Sequence, residues 1–224
     1  MVVNDQIKDK ALFAEMEAKL YTAVLCDVMD DLGYRNQAMR ETIRPLDPSF
    51  VCVGRAKTIL AVDVYQLSGD PYKMEIESVD SVRPDEVIVA CTNNSIRTGF
   101  WGELLSTAAQ TRGARGVIVD GLVRDVKKIV ALGFPVFAAG IKPVDSKGRS
   151  IVLNYDCPIE CGGVAVSPGD IIMADYDGVV VVPKEIVADV LKRALIKVEK
   201  ENKSRQDLIA GAYLRDVYRR YGTL

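Results

Sequence analysis

At 224 residues with 49% apolar side chains, the chain can bury one substantial core and is short for two, so we expect a single domain over 1–224, with 184–224 as a helical extension at a subunit interface. Its 29 basic and 31 acidic residues are interspersed and leave a formal charge of −2, which removes the basic footprint of a nucleic-acid or membrane-surface binder and points to a small-molecule partner. Histidine is absent, which excludes Ser-His-Asp and Cys-His triads, histidine-held metals and phosphohistidine carriers, and leaves carboxylates, Arg, Lys, Tyr, Ser, backbone amides or an oxygen-bound metal to do any chemistry.

In chain order, Leu12, Phe13, Met16 and Leu20 fall at helical spacing, and Thr22 is placed to cap a second helix ending at Gly33. The polar start of the chain (Asn4, Asp5, Lys8, Asp9, Lys10) lacks the apolar segment of a signal peptide, and no run approaches a membrane span, so the expected location is the cytoplasm. Residues 51–62 are rich in β-branched side chains, with Gly54 permitting a bulge, and predict a strand or hairpin. A helix end at 78–82 and an Arg83-Pro84-Asp85 turn lead into a strand at 86–91.

The central block alternates most clearly: helix 103–112 stopped by Gly113, strand 116–119, helix 126–132 stopped by Gly133, strand 136–139. That order predicts parallel strands with ligand groups at their carboxyl ends. A β-rich stretch follows, with strands at 164–166, 171–174 and 179–182 separated by Ser167-Pro168-Gly169-Asp170 and by Asp177-Gly178, a hairpin signal. From Lys184 an i, i+3, i+4, i+7 pattern through Val198 predicts one long amphipathic helix, whose polar continuation past Glu199 suits contact with a neighbouring subunit.

The five cysteines are odd in number, dispersed and set among apolar neighbours, so they read as reduced core thiols; Cys157-x-x-x-Cys161 without histidine or a second pair is a poor zinc site.

Two segments carry candidate chemistry. Gly99-Phe100-Trp101-Gly102-Glu103-Leu104-Leu105 puts glycines just before a helix, whose first amides and dipole suit a carboxylate or phosphate; an ordinary helix start is the bland alternative. The next strand ends in Asp120-Gly121-Leu122-Val123-Arg124-Asp125. Arg124 can neutralise a 2-oxo acid or its enolate in forked geometry, and Asp125 is a hard oxygen ligand for Mg²⁺ or Mn²⁺; a surface pair capping helix 126–132 is the alternative. Trp101 reads as a pocket wall or interface residue, Lys127-Lys128 as a solvated helix face, and Asp145-Ser146-Lys147-Gly148-Arg149 as a polar loop. No lysine falls within these two segments, which argues against a Schiff-base mechanism.

The run Gly102-Glu103-Leu104-Leu105-Ser106-Thr107-Ala108-Ala109, the run Arg112-Gly113-Ala114-Arg115-Gly116-Val117-Ile118-Val119-Asp120-Gly121-Leu122-Val123-Arg124-Asp125 and Gly133-Phe134-Pro135-Val136-Phe137-Ala138 closely resemble the 4-hydroxy-4-methyl-2-oxoglutarate aldolase family, which shares its fold with the regulator of ribonuclease E activity A. The resemblance continues through Cys161-Gly162-Gly163, Pro168-Gly169-Asp170 and Asp175-Tyr176-Asp177-Gly178, covering most of 22–211. It implies an α/β, compact β/β/α swivelling-domain-like (RraA-like) fold with a central β-α-β unit, N-terminal helices, a long C-terminal helix and a homotrimeric or homohexameric assembly.

Residue by residue, the resemblance implies that Asp125 is the direct protein ligand of Mg²⁺ or Mn²⁺, that Arg124 contacts the pyruvyl oxygen and steadies the enolate, and that the backbone at Gly102, Glu103, Leu104 and Leu105 receives the substrate, with the Leu104 and Leu105 amides on its carboxylate. Glu103 matches an acidic residue that orders metal-bound water, where the family often has Asp. A further acidic residue comes from a neighbouring subunit's C-terminal helix, matched by Glu201 with Glu199 as the alternate. The implied activity is a metal-dependent lyase that cleaves a 4-hydroxy-2-oxo acid to pyruvate and a carbonyl compound, with decarboxylation of oxaloacetate through the same enolate. The alternative is a non-catalytic regulator that binds a ribonuclease, against which the retention of Glu103, Arg124 and Asp125 weighs. A methyltransferase is discounted because no glycine-rich loop follows an early strand.

Overall fold

In the computed structural model, residues 2–67 and 69–223 are described, with the side chains of residues 2–8 outside that description. The side chains of Asn4, Asp5 and Lys8, and Ser68 in the segment between the second strand and third helix, therefore lie outside the description. Among the described residues, seven helices and eleven strands follow in chain order: α1 (Val2–Lys19), α2 (Thr22–Asp31), β1 (Arg44–Pro45), β2 (Cys52–Asp63), α3 (Lys73–Asp80), β3 (Glu86–Cys91), β4 (Gly99–Trp101), α4 (Glu103–Thr111), β5 (Gly116–Val123), α5 (Val126–Leu132), β6 (Val136–Ile141), β7 (Ser150–Tyr155), β8 (Ile159–Cys161), β9 (Val164–Val166), β10 (Ile171–Asp175), β11 (Gly178–Val182), α6 (Val187–Ile209) and α7 (Leu214–Tyr221).

The main sheet runs β1-β6-β5-β3-β2-β10-β11, with β7 added to β2 and β4 added to β5. Its centre is parallel, β2 on β3, β3 on β5 and β5 on β6, as the alternating strand and helix pattern requires. The flanks are antiparallel. One short segment draws the two edges together: Ala38 bridges Val180 on β11, while Arg44 and Pro45 pair with Ala138 and Phe137 on β6. Arg44 also donates to the backbone carbonyls of Tyr176 and Asp177, so the sheet is nearly closed.

Both faces of this sheet are buried, and strand periodicity sorts the side chains between them. On β3, Val87, Val89 and Cys91 join the interior with Ile118, Phe137, Ile172 and Val181, whereas Ile88 and Ala90 face outward among residues packed under α3, α4 and α5. A third cluster lies where α1, α2 and α6 cover β10 and β11 through Phe13, Leu25, Met173 and Val190. The β8–β9 hairpin turns on Gly162 and Gly163, and its apolar residues Ile159, Cys161, Val164 and Val166 join the interior cluster. All five cysteines are free thiols, and burial pushes Cys52 up to about 12 and Cys91 to about 11, which keeps both protonated and unreactive at neutral pH.

Several local expectations are corrected. Gly54 makes no bulge; β2 runs unbroken past it, and its irregularity falls between Leu60 and Ala61. The glycine is needed because a Cβ there would meet the Asp85 carbonyl at 2.6 Å. Thr22 does not cap α2. Its amide and hydroxyl donate to the Asp175 carboxylate at 2.8 and 2.7 Å, so the cap comes from the end of β10. Strands β4, β7 and β8, and helix α7, carry too little periodicity to be read locally. Helix α6 stays against the fold as far as Ser204, which is buried, and α7 turns back beside it. Among the described residues, no helix is long and apolar enough to cross a membrane.

Candidate active site

The two segments singled out in sequence meet because β4 lies alongside the far end of β5. Gly99 aligns with Leu122 and Trp101 with Val123, and the Arg124 amide donates to the Trp101 carbonyl at 2.8 Å. The residues that follow the two strands, Gly102 starting α4 and Asp125 starting α5, are thereby adjacent. A Cβ on Gly102 would sit 2.8 Å from Asp125 Oδ2 and 3.3 Å from Arg124 Cγ, so no other residue fits there without moving both functional side chains.

Asp125 occupies the position of an N-cap but does not act as one. Its backbone is left-handed (φ 59°, ψ 26°) and its side chain makes no cap to α5. Instead Oδ2 accepts the Glu103 amide at 3.3 Å and lies 3.8 Å from Arg124 Nε. A non-glycine residue held in the left-handed region and turned away from its own helix is strain of the kind found at working sites.

Trp101 is fully buried in the core beneath α4, not a pocket wall. Its indole donates to Ser106 Oγ at 2.8 Å, and Ser106 donates to the Gly102 carbonyl at 3.0 Å, which fixes the start of α4 from below. Above it, Gly102, Leu104 and Leu105 line a cavity of about 260 Å³ together with Arg124 and Asp125. Helix α4 presents its first amides, which have no partners within the helix, and the positive end of its dipole toward this space. Glu103 leans back along the helix, where it accepts Thr107 Oγ1 at 3.1 Å, and it does not line the cavity.

The opposite wall holds residues that no local pattern marked: Tyr72 just before α3, Glu75 on α3, and Asp145 from the loop after β6. Asp145 is more than a loop residue. It pairs with Arg124 Nη2 at 3.1 Å through one oxygen and accepts the Tyr72 hydroxyl through the other. Its loop is brought in by β4: the Gly99 amide donates to Val144 O at 2.7 Å, and a Cβ on Gly99 would collide with the Lys142 carbonyl. Burial works to raise the Asp145 carboxyl, but the Tyr72 hydroxyl and Arg124 outweigh it and hold it below the ordinary range. The same bond pushes Tyr72 up to about 12. Glu75 is buried, accepts Ser146 Oγ at 3.3 Å through Oε2, and is raised by burial to about 7, with Asp145 adding to the shift.

Asp120 lies within β5 and not in a turn; it is buried and accepts the Thr92 amide and hydroxyl, which fixes the bend after β3. Lys127 and Lys128 are exposed on α5. Glu201 is remote from the cavity in its own chain's contacts. It accepts the Tyr21 hydroxyl and lines a separate space between α2, α6 and α7, while Glu199 is exposed. Any role of Glu201 in the site needs a neighbouring copy.

The family model of the RraA-like proteins, Aldolase/RraA, matches residues 22–181. The chain belongs to the RraA-like family. A protein named "Putative 4-hydroxy-4-methyl-2-oxoglutarate aldolase" from Halalkalibacterium halodurans is 33% identical over 189 residues, covering 84% of each chain. Protein DlpA of Legionella pneumophila is 31% identical over 193 residues, 86% of this chain, but the match spans only 31% of DlpA's own length. Among solved structures, Streptomyces coelicolor RraAS2, of the RNase ES inhibitor RraA family, superposes with a TM-score of 0.80 at 28% identity over 89% of this chain and 98% of that one. Proteins similar to this chain thus carry both aldolase and ribonuclease-inhibitor names.

Proposed function

We propose that this RraA-like protein is a divalent-metal-dependent lyase that cleaves a 4-hydroxy-2-oxo acid to pyruvate and a carbonyl compound. The observation that carries the reading is the contact of Gly102, Arg124 and Asp125 at the start of α4: an anion-binding helix start, a forked cation and a half-exposed hard carboxylate around one cavity. Names of relatives support an aldolase at the level of the family.

Mg²⁺ or Mn²⁺ suits this donor set. Among the described residues no three His, Cys, Asp or Glu side chains come together as a metal cage. Asp125, with its side chain 43% exposed, therefore fits an ion that keeps most of its other positions for water and substrate oxygens. Such an ion supplies Lewis-acid polarisation of the 2-oxo group. The protein's own groups do the rest. The Leu104 and Leu105 amides bind the C1 carboxylate, and Arg124, steadied by Asp145, carries the charge that develops on the C2 oxygen as the C3–C4 bond breaks. The C4 hydroxyl proton passes by way of water to Glu103, aided by Glu201 from a neighbouring copy in a trimer or hexamer. The enolate takes a proton at C3 and leaves as pyruvate. Loss of CO₂ from oxaloacetate gives the same enolate and is the expected side reaction.

Pyruvate release from a panel of 4-hydroxy-2-oxo acids tests this. The protein stripped with a chelator is expected to lose activity and to regain it with Mg²⁺ or Mn²⁺. The likeness to RraAS2 favours a second reading, ribonuclease inhibition by contact. Absence of turnover across the panel, together with inhibition of a ribonuclease, would replace the first reading by the second.

A further inference from the structure

The cavity wall facing Arg124 constrains the half of the substrate that leaves as the carbonyl product. Its charged groups are one cation, Arg124, and three carboxyls, Asp125, Asp145 and Glu75. The cation is already committed: Arg124 pairs with Asp145 at 3.1 Å, and its remaining donors face the pyruvyl half in the aldolase reading. Asp145 has both oxygens engaged, by Arg124 and by Tyr72. Glu75 differs. It is 8% exposed, its Oε2 accepts Ser146 Oγ at 3.3 Å, and among the described residues its Oε1 makes no hydrogen bond.

A carboxyl sunk into the wall with one oxygen unengaged is suited to a hydroxyl and unsuited to another carboxylate. A hydroxyl can donate to it, whereas a second anion would meet like charge on a wall whose one cationic side chain, Arg124, is already paired with Asp145. We propose that the substrate of this protein carries an uncharged, hydroxylated tail beyond C4, and that Glu75 is the residue that selects it over a tail ending in carboxylate. This rests on the aldolase reading and departs from the dicarboxylate named for the relative from Halalkalibacterium halodurans, which shares only 33% of its residues. It also makes oxaloacetate, whose far end is a carboxylate, the poorer of the substrates.

Two acids that differ only at C5 test it: 4,5-dihydroxy-2-oxopentanoate, ending in CH₂OH, and 4-hydroxy-2-oxoglutarate, ending in carboxylate. At pH 8 with Mg²⁺, the wild-type protein is expected to release pyruvate from the first with kcat/KM at least about tenfold above the second. Glu75→Gln keeps the size of the side chain and the acceptor for Ser146, removes the charge, and is expected to shrink that ratio at least about threefold by improving the dicarboxylate. A wild-type preference for the dicarboxylate, or a ratio unchanged in folded Glu75→Gln, overturns the assignment while leaving the aldolase reading standing. The wild-type ratio decides the matter even if the variant does not fold. Pyruvate release from neither acid overturns the assignment of the tail, while the aldolase reading stands or falls on the wider panel.

Discussion

Asp125→Asn is expected to lower kcat/KM for pyruvate release by about 10²–10³-fold while leaving the fold intact. The choice of Asn matters because position 125 sits at φ 59°, a conformation that Asn tolerates almost as well as Asp and that Ala does not. The change keeps an oxygen for the Glu103 amide, which donates to Oδ2 at 3.3 Å, and keeps the fit against Gly102. What it removes is the anionic oxygen facing the cavity. Because Asp125 makes no cap to α5, its stability cost is expected within about 1 kcal/mol, readable by urea denaturation. A large loss of rate without loss of stability separates a site carboxylate from a helix cap, for which the losses would fall the other way.

Glu75 gives the second large effect, on stability. Its carboxyl is raised from 4.5 to about 7 in the folded protein, chiefly by burial. A group whose folded pKa is raised binds its proton more tightly in the native state, so its contribution to stability is complete below the unfolded value and is lost as pH rises through the folded one. Between pH 4.5 and 7.5 this one residue is expected to withdraw about 3 kcal/mol. Glu75→Gln cannot ionise and removes that slope, so the variant should be no more stable than wild type near pH 4.5 and clearly more stable near pH 8. The comparison of urea midpoints at the two pH values checks it; parallel profiles for the two proteins would show that Glu75 titrates normally.

Much of this arrangement is legible in the chain because its signals are local. Gly113 and Gly133 end α4 and α5 in the left-handed region expected of them, and the apolar runs between mark parallel strands buried on both faces. The pairing of Gly102 with Asp125 follows from strand adjacency alone. The failures share a different cause. Tyr72, Glu75 and Asp145 reach the cavity through packing of α3 and of the loop after β6, and nothing in their immediate neighbours distinguishes them from surface polar residues. The alternative of Asp125 as a helix cap stays open in sequence because its place before α5 is visible there and its positive φ is not. Trp101 misled for the opposite reason: a lone large aromatic beside a site suggests a wall, yet its indole has a buried partner in Ser106 that only the fold supplies.

If the Arg124–Asp125 cavity generates pyruvate enolate, the most direct measurement omits the carbonyl half altogether. Pyruvate incubated with the protein in D₂O reports enolate formation as exchange of its methyl protons, followed by proton NMR. Exchange well above the buffer rate is expected in the presence of Mg²⁺ or Mn²⁺, and it should be lost on chelation and in Asp125→Asn. Exchange no faster than buffer with folded, metal-supplied protein would contradict enolate formation in this cavity.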